Sequence, residues 1–122
     1  MGLALNVGLA GAAGAVARYL IDGAVQDRSS GVFPFGTLTV NLVGSLIFGV
    51  VAGMALHHAG FGTARTLIGT GICGGLTTWS TASWETVRLA EEGSGRAALS
   101  FTLVNLLASL GAGGIGLLVG LA

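Results

Sequence analysis

Lysine is absent from this sequence, and charge of either sign is scarce. Five arginines stand against five acids, and charged residues make up 8% of the 122. A soluble domain carries about 25%, so too few polar side chains exist here to cover a water-facing surface. Without a basic excess the chain has no field to draw nucleic acid. The one cysteine, Cys73, has no partner for an internal disulfide or a metal cluster. No nucleophile is accompanied by a base and an orienting acid, and no phosphate loop is present, which argues against an enzyme. The N-terminus, MGLALNVG, has no basic region ahead of its apolar stretch. That argues against a cleavable signal peptide. The Met1-Gly2 start resembles a myristoylation site only superficially, because the next residues already belong to an apolar run.

What the chain has in abundance is apolar surface and glycine. Hydrophobic residues make up 52%, and the mean hydropathy is +0.87. A membrane-crossing helix needs about 20 mostly apolar residues, and four stretches qualify, at about 3–25, 34–56, 66–89 and 96–122. The first is interrupted by Arg18 and Asp22, the second carries no charge, and the third has a polar middle. Turn-like segments at 27–31, 57–62 and 91–95 separate them. Pro34 suits a first helical turn and Thr63 a helix N-cap. The expected fold is an all-α integral membrane protein of four helices, one domain over 1–122.

The 23 glycines far exceed the usual ~7% and point to close helix packing. Ser45, Gly49 and Gly53 share one face of the second span. Ala108, Ala112, Gly116 and Gly120 share one face of the fourth. The second stripe implies a close interface, within a subunit or between two. Orientation is weakly marked. Arg28, Arg88 and Arg96 lie on one side and Arg65 on the other, which puts the first and third loops in the cytoplasm. Insertion in both orientations stays open.

The third span is the unusual one. Residues 69–85 read GTGICGGLTTWSTASWE. Thr77, Thr78, Ser80, Thr81 and Ser83 place hydroxyls at the membrane centre, directly after Gly74-Gly75. Such a glycine pair loosens a helix. A break there frees backbone carbonyls, which is tolerated at membrane depth only where protein, ion or water takes them up. The expectation is a break at Gly74-Gly75 with carbonyls of 74–77 facing a cation or a polar core. The competing reading is an unbroken helix whose hydroxyls bond back to the preceding turn. No charged side chain sits in this middle, which disfavours a drug or cation antiporter with a mid-membrane carboxylate.

Four segments together resemble the Fluc (CrcB) fluoride channel family. GAAGAVARY at 11–19 resembles the family's GGxxGAxxRY. PFGTLTVNLVGS at 34–45 resembles PxGTLxVNxxGS. GICGGLTTWSTASWE at 71–85 resembles GFCGGFTTFSTFSxE, and NLLAS at 105–109 resembles NxxGS. All four stand in order and at matching spacing. The resemblance implies an antiparallel, dual-topology-type dimer in a prokaryotic cell membrane, exporting fluoride passively through two narrow pathways. It implies a structural Na⁺ at the dimer interface, held by the backbone carbonyls of Gly74 and Thr77, which suit a small hard cation. It also implies that Asn41 donates its amide N–H to fluoride, with Ser80, Thr81 and Ser109 adding hydroxyls and Glu85 at the pathway mouth. Neutral donors can replace the water of a strongly hydrated ion without trapping it.

The sequence departs from the family at two pathway positions. Two phenylalanines of TTFSTF are here Trp79 and Ala82. Trp79 keeps ring edges and adds an indole N–H, whereas Ala82 offers a methyl. Three readings stay open: a conducting pore with an altered lining, a heterodimer with a homologous subunit that supplies the rings, and a non-conducting accessory subunit. Arg18 either snorkels to the interface or pairs near the pathway. Asn6 and Asn105 are expected to bond between helices. Cys73 is expected to pack as a small residue. The adjacent His57 and His58 have no further ligand nearby for a metal.

Overall fold

The computed structural model describes residues 2–122; Met1, half of the Met1-Gly2 start, lies outside them. Helices account for the secondary structure, with no strand among the described residues. Helix α1 spans Gly2–Arg28 and α2 spans Phe35–His57. The helical segment α3 covers residues 62–76, with a π-helical middle over Arg65–Cys73. Helix α4 spans Trp79–Glu91 and α5 spans Gly95–Leu121.

Helices α1, α2 and α5 are each long and apolar enough to cross a membrane. The expected third span is instead two shorter helices, and neither reaches the roughly 20 residues a crossing needs. Leu9, Tyr19, Leu56, Leu110 and Leu118 are all more than half exposed. Apolar side chains at that density on the outside suit a hydrocarbon solvent.

The helix ends use local chemistry. Pro34 is the N-cap of α2 and offers no side-chain bond. Gln26 of α1 fills the gap: its Oε1 accepts from Gly36 N at 3.3 Å, and its Nε2 donates to Phe33 O at 3.4 Å. Helix α4 stops at Gly93, where φ is 81°. Ser94 N donates to Leu89 O and Gly93 N to Ala90 O. These are the two bonds of a Schellman stop, which favours glycine at the left-handed position. The N-cap of α3 is Phe61, without a side-chain bond, and Thr63 already lies inside the helix. The expected Thr63 cap is therefore not formed.

Helix α2 packs along α5, and the glycine stripes explain how. A Cβ at Gly53 would lie 2.5 Å from Leu117 O, and one at Gly49 would overlap Gly113 O. From the other side, Cβ atoms at Gly116 and Gly120 would overlap Leu46 O and Val50 O. The stripe on α5 thus serves an interface within the subunit along Gly116 and Gly120. Helix α1 meets α3 in the same way: a Cβ at Gly14 would overlap Ile72 O, and one at Gly75 would overlap Gly11 O. Gly75 is therefore a packing glycine on α1, while around Gly74 nothing lies within 4 Å of an added Cβ. Both stay helical, and extended backbone begins at Thr77. The interruption lies beyond the glycine pair because Gly75 is held against α1.

A buried cluster of Ala82, Leu89, Ala98 and Phe101 joins α4 to α5, with Phe33 and Leu38 packed against it. Substituting Gly116→Ala forces its Cβ onto a backbone carbonyl. It is expected to lower stability by about 1–3 kcal/mol, read as thermal unfolding in detergent. Gly114→Ala, where nothing lies within 4 Å, should leave the unfolding temperature unchanged.

Candidate functional site

Between α3 and α4 the backbone is extended at two residues. Thr77 has φ −77° and ψ 159°, and Thr78 has φ −150° and ψ 122°. The amide of Asn41, on α2, supplies the partner that Thr78 N loses there and bonds Thr78 O as well. Asn41 Oδ1 accepts from Thr78 N at 2.7 Å, and Asn41 Nδ2 donates to Thr78 O at 3.1 Å. A side-chain amide has the same donor and acceptor as a peptide group, so it closes both bonds at once. Both residues are 7% exposed, a depth at which unpaired backbone is costly. One turn after Asn41, an added Cβ at Gly44 would overlap Thr77 Cγ2. Asn41 and Gly44 together form the seat for the interruption.

Asn41 Nδ2 also donates to Asn105 Oδ1 of α5 at 3.1 Å. The sequence reading gave Asn41 an N–H for fluoride. In this subunit both of its N–H groups have protein partners, Thr78 O and Asn105 Oδ1. Asn105, expected to bond between helices, does so here and joins the same network.

The hydroxyls divide into two sets. Thr77, Ser83 and Thr86 each donate to the carbonyl four residues back, at 2.9 Å. That is the back-bonding alternative read from the sequence. Thr78 is the N-cap of α4: its Oγ1 accepts from Thr81 N at 3.1 Å and donates to Thr81 Oγ1 at 2.9 Å. Ser80 Oγ lies 3.4 Å from the same hydroxyl. Ser80 and Thr81 thus sit at the N-terminal end of α4, where backbone N–H groups and the helix dipole favour an anion.

The opposite end, the C-terminus of α3, presents carbonyls. In a continuous helix Thr78 N would donate to Gly74 O; here it donates to Asn41. Gly74 O loses that helical partner and lies beside a cavity of about 600 Å³ that Thr77 also lines. Arg18 Nη1 donates to Thr77 O at 3.4 Å, so Arg18 reaches inward to the interruption. A neutral carbonyl such as Gly74 O fits the donor chemistry of a hard monovalent cation, whereas Thr77 O already accepts from the Arg18 guanidinium. Among the described residues no His, Cys, Asp and Glu cluster suits a metal.

Three cavities meet around the interruption. One of about 280 Å³ is lined by Asn41, Thr77, Thr78, Trp79, Asn105 and Ser109 among others. A second of about 230 Å³ brings Trp79 together with Ala82, Phe101 and Asn105. The third is the 600 Å³ cavity, which shares Ser109 and Thr77 with the first. Trp79 is 77% exposed, whereas Ala82 is buried. Phe101 lines the same cavity as Ala82, so α5 sets an aromatic ring beside the position where the family pattern has its own. Ser80 and Thr81 line none of the three. Glu85 stands apart. Its Oε2 accepts from Arg88 Nε at 2.9 Å and Nη2 at 2.6 Å, beside a separate cavity of about 170 Å³ with Asp22, Gln26 and Thr37.

Thr78→Val removes the N-cap oxygen but keeps the backbone bonds to Asn41. The expected loss is about 1 kcal/mol of stability, measured by thermal unfolding in detergent. Thr70, exposed and without such a bond, is the control: Thr70→Val should change little.

Comparison with known proteins bears on this arrangement. The family model described as CrcB-like protein, Camphor Resistance (CrcB), matches residues 5–121. The fluoride-specific ion channel FluC 1 of Leifsonia xyli subsp. xyli (strain CTCB07) is 45% identical over 116 residues, which cover 95% of this chain and 85% of that protein. The fluoride-specific ion channel FluC 1 of Frankia casuarinae is 48% identical over 112 residues, covering 86% of this chain and 85% of that one. The fluoride-specific ion channel FluC 2 of Cutibacterium acnes is 51% identical over 87 residues, covering 70% and 71%. With the family model matched across nearly the whole length, the chain belongs to the CrcB family.

Proposed function

We propose that this chain is a subunit of a passive, fluoride-selective channel that exports fluoride from the cytoplasm and so lowers its toxicity. It is a multi-pass membrane protein of a family whose relatives carry the fluoride channel name. The observation that carries the mechanism is the interruption at Thr77–Thr78, held open by Asn41. It faces the positive end of one short helix and the negative end of another toward neighbouring cavities. An anion is served by the N-terminal end of α4 and by the neutral donors around it. No charged side chain lines the three cavities around the interruption. A strongly hydrated anion then meets dipoles that replace its water without holding it fast. The missing carboxylate also counts against an antiporter.

In this reading the two halves α3 and α4 make the third of four crossings. Asn41, Trp79, Ser80, Thr81, Ala82 and Ser109 belong to the fluoride pathway, with Glu85 at its mouth. The exposed Trp79 would be covered by a second subunit, a copy of this chain or a homologue, in an antiparallel dimer. The carbonyls of Gly74 and Thr77 from both subunits would hold a structural Na⁺, whose charge would offset the partial negative charge at the C-terminus of α3.

Liposomes containing only this protein, loaded with fluoride and monitored with a fluoride electrode, should lose fluoride fast and leave chloride behind. Loss only with a co-expressed homologue would assign it to a heterodimer, and no loss in either case would sink the channel reading. Asn41→Asp places an acceptor-only group against Thr78 O and Asn105 Oδ1. It is expected to slow efflux at least tenfold and to cost about 1–3 kcal/mol of stability. An unchanged rate would remove Asn41 from the pathway.

A further inference from the structure

Arg18 is a charge inside the membrane without a carboxylate beside it. Helix α1 runs on to Arg28, which lies roughly 15 Å further along the axis. That is about half of the hydrocarbon thickness, too deep for the side chain to snorkel out. A charged side chain at such a depth is expensive unless something pairs with it. Among the described residues both ion pairs belong to Arg88. Arg18 is half-buried and bonds instead to a backbone carbonyl, Thr77 O, at 3.4 Å.

Glycine packing places it there. One turn before Arg18, an added Cβ at Gly14 would overlap Ile72 O and lie 3.0 Å from Leu76 N. From α3, a Cβ at Gly75 would lie 3.0 Å from Ala15 N. With the helices this close, the next turn of α1 carries Arg18 to the end of α3, whose C-cap is Thr77. The last carbonyls of a helix carry partial negative charge. Gly74 O adds to it, because Thr78 N bonds to Asn41. The 600 Å³ cavity meets the same end from the other side. It is lined from α2, α3 and α5, and by no residue of α1. The negative end of α3 therefore has a guanidinium on one flank and open space on the other.

We propose that Arg18 is a tethered counter-cation for the C-terminal end of α3, and that it competes for this end with a mobile cation entering the 600 Å³ cavity. A carbonyl oxygen has two lone pairs, so Thr77 O can face both, but like charges that close repel. The two cations thus stabilise the same end of α3 and weaken each other. Arg18 is a positioning residue in this scheme, since it touches backbone and lines none of the three cavities. The competition rests on the Na⁺ reading above; the tethered charge stands on the Arg18 contact and is independent of fluoride.

The test is thermal unfolding of the full chain in detergent, with sodium chloride titrated against choline chloride at constant ionic strength. Arg18→Gln keeps an N–H donor and removes the charge. In choline chloride it should unfold roughly 5 °C or more below the parent. Sodium should restore it, with a half-effect at a concentration at least tenfold lower than the parent needs. Arg18→Lys keeps the charge and should match the parent in both salts. A Gln variant as stable as the parent in choline chloride overturns the tethered charge, and so does a Lys variant as weak as the Gln variant. A deficit that sodium does not restore, or no folded Gln variant even in sodium chloride, overturns the competition, because a mobile cation is then no substitute. Equal half-effects in parent and variant overturn it as well. Indifference to sodium in every protein fails the Na⁺ reading together with the competition, while a Gln deficit rescued by lysine still upholds the tethered charge.

Discussion

Lipid cannot hydrogen-bond a peptide group, so a helix that opens inside a bilayer must be bonded by something else. In this chain that something is the amide of Asn41. It accepts from Thr78 N, substituting for the helical partner that this N–H has lost, and donates to Thr78 O. The consequences spread from this contact. Gly74 O is released from its helical bond, α4 acquires a free N-terminus capped by Thr78, and Asn105 is drawn from α5 into the network. Removing this amide would leave the buried Thr78 N–H and the Asn105 side-chain oxygen without their partner.

That contact is possible only because the helices approach closely. Gly44 leaves room for the Thr77 methyl, and Gly75 lets α3 lie against α1 at the Gly11 carbonyl. The α2–α5 seam at Gly49, Gly53, Gly116 and Gly120 holds the two helices that carry Asn41 and Asn105. In membranes such packing is driven by van der Waals contact rather than by expulsion of water. A seam built of backbone against backbone is consequently intolerant of any added Cβ. The glycine content is the cost of holding two asparagines within bonding distance of one interruption.

The interruption also arranges charge without ionised groups. The last carbonyls of α3 carry partial negative charge and the first N–H groups of α4 partial positive charge. The ionised pair nearest in sequence, Glu85 with Arg88, is neutralised in place by a 2.6 Å contact, and Glu92 lies 3.2 Å from the same guanidinium. Arg18 is the exception, reaching Thr77 O at 3.4 Å. Under the proposed function, a neutral lining attracts an anion strongly enough to dehydrate it and weakly enough to release it.

The membrane class, the three long apolar helices and the unusual segment between the second and the last of them were legible in the sequence. Composition alone decides the first, because a chain with 8% charged residues cannot cover itself in water, and the order of residues decides the rest. The stripe at Gly116 and Gly120 was legible as an interface, though not as one within the subunit. The site was legible in residue type but not in geometry. Gly74-Gly75 looked like the weak point, yet tertiary packing holds Gly75 on α1 and moves the opening to Thr77. Asn41 looked like a free donor, yet its partners lie 37 and 64 positions away in the chain. Asn105 was legible as a polar residue in an apolar helix, and its bond to Asn41 on another helix comes only from the packing. Local sequence sets where polar groups occur along a membrane helix. Only the packed bundle decides which of those groups are consumed by each other and which remain for an ion.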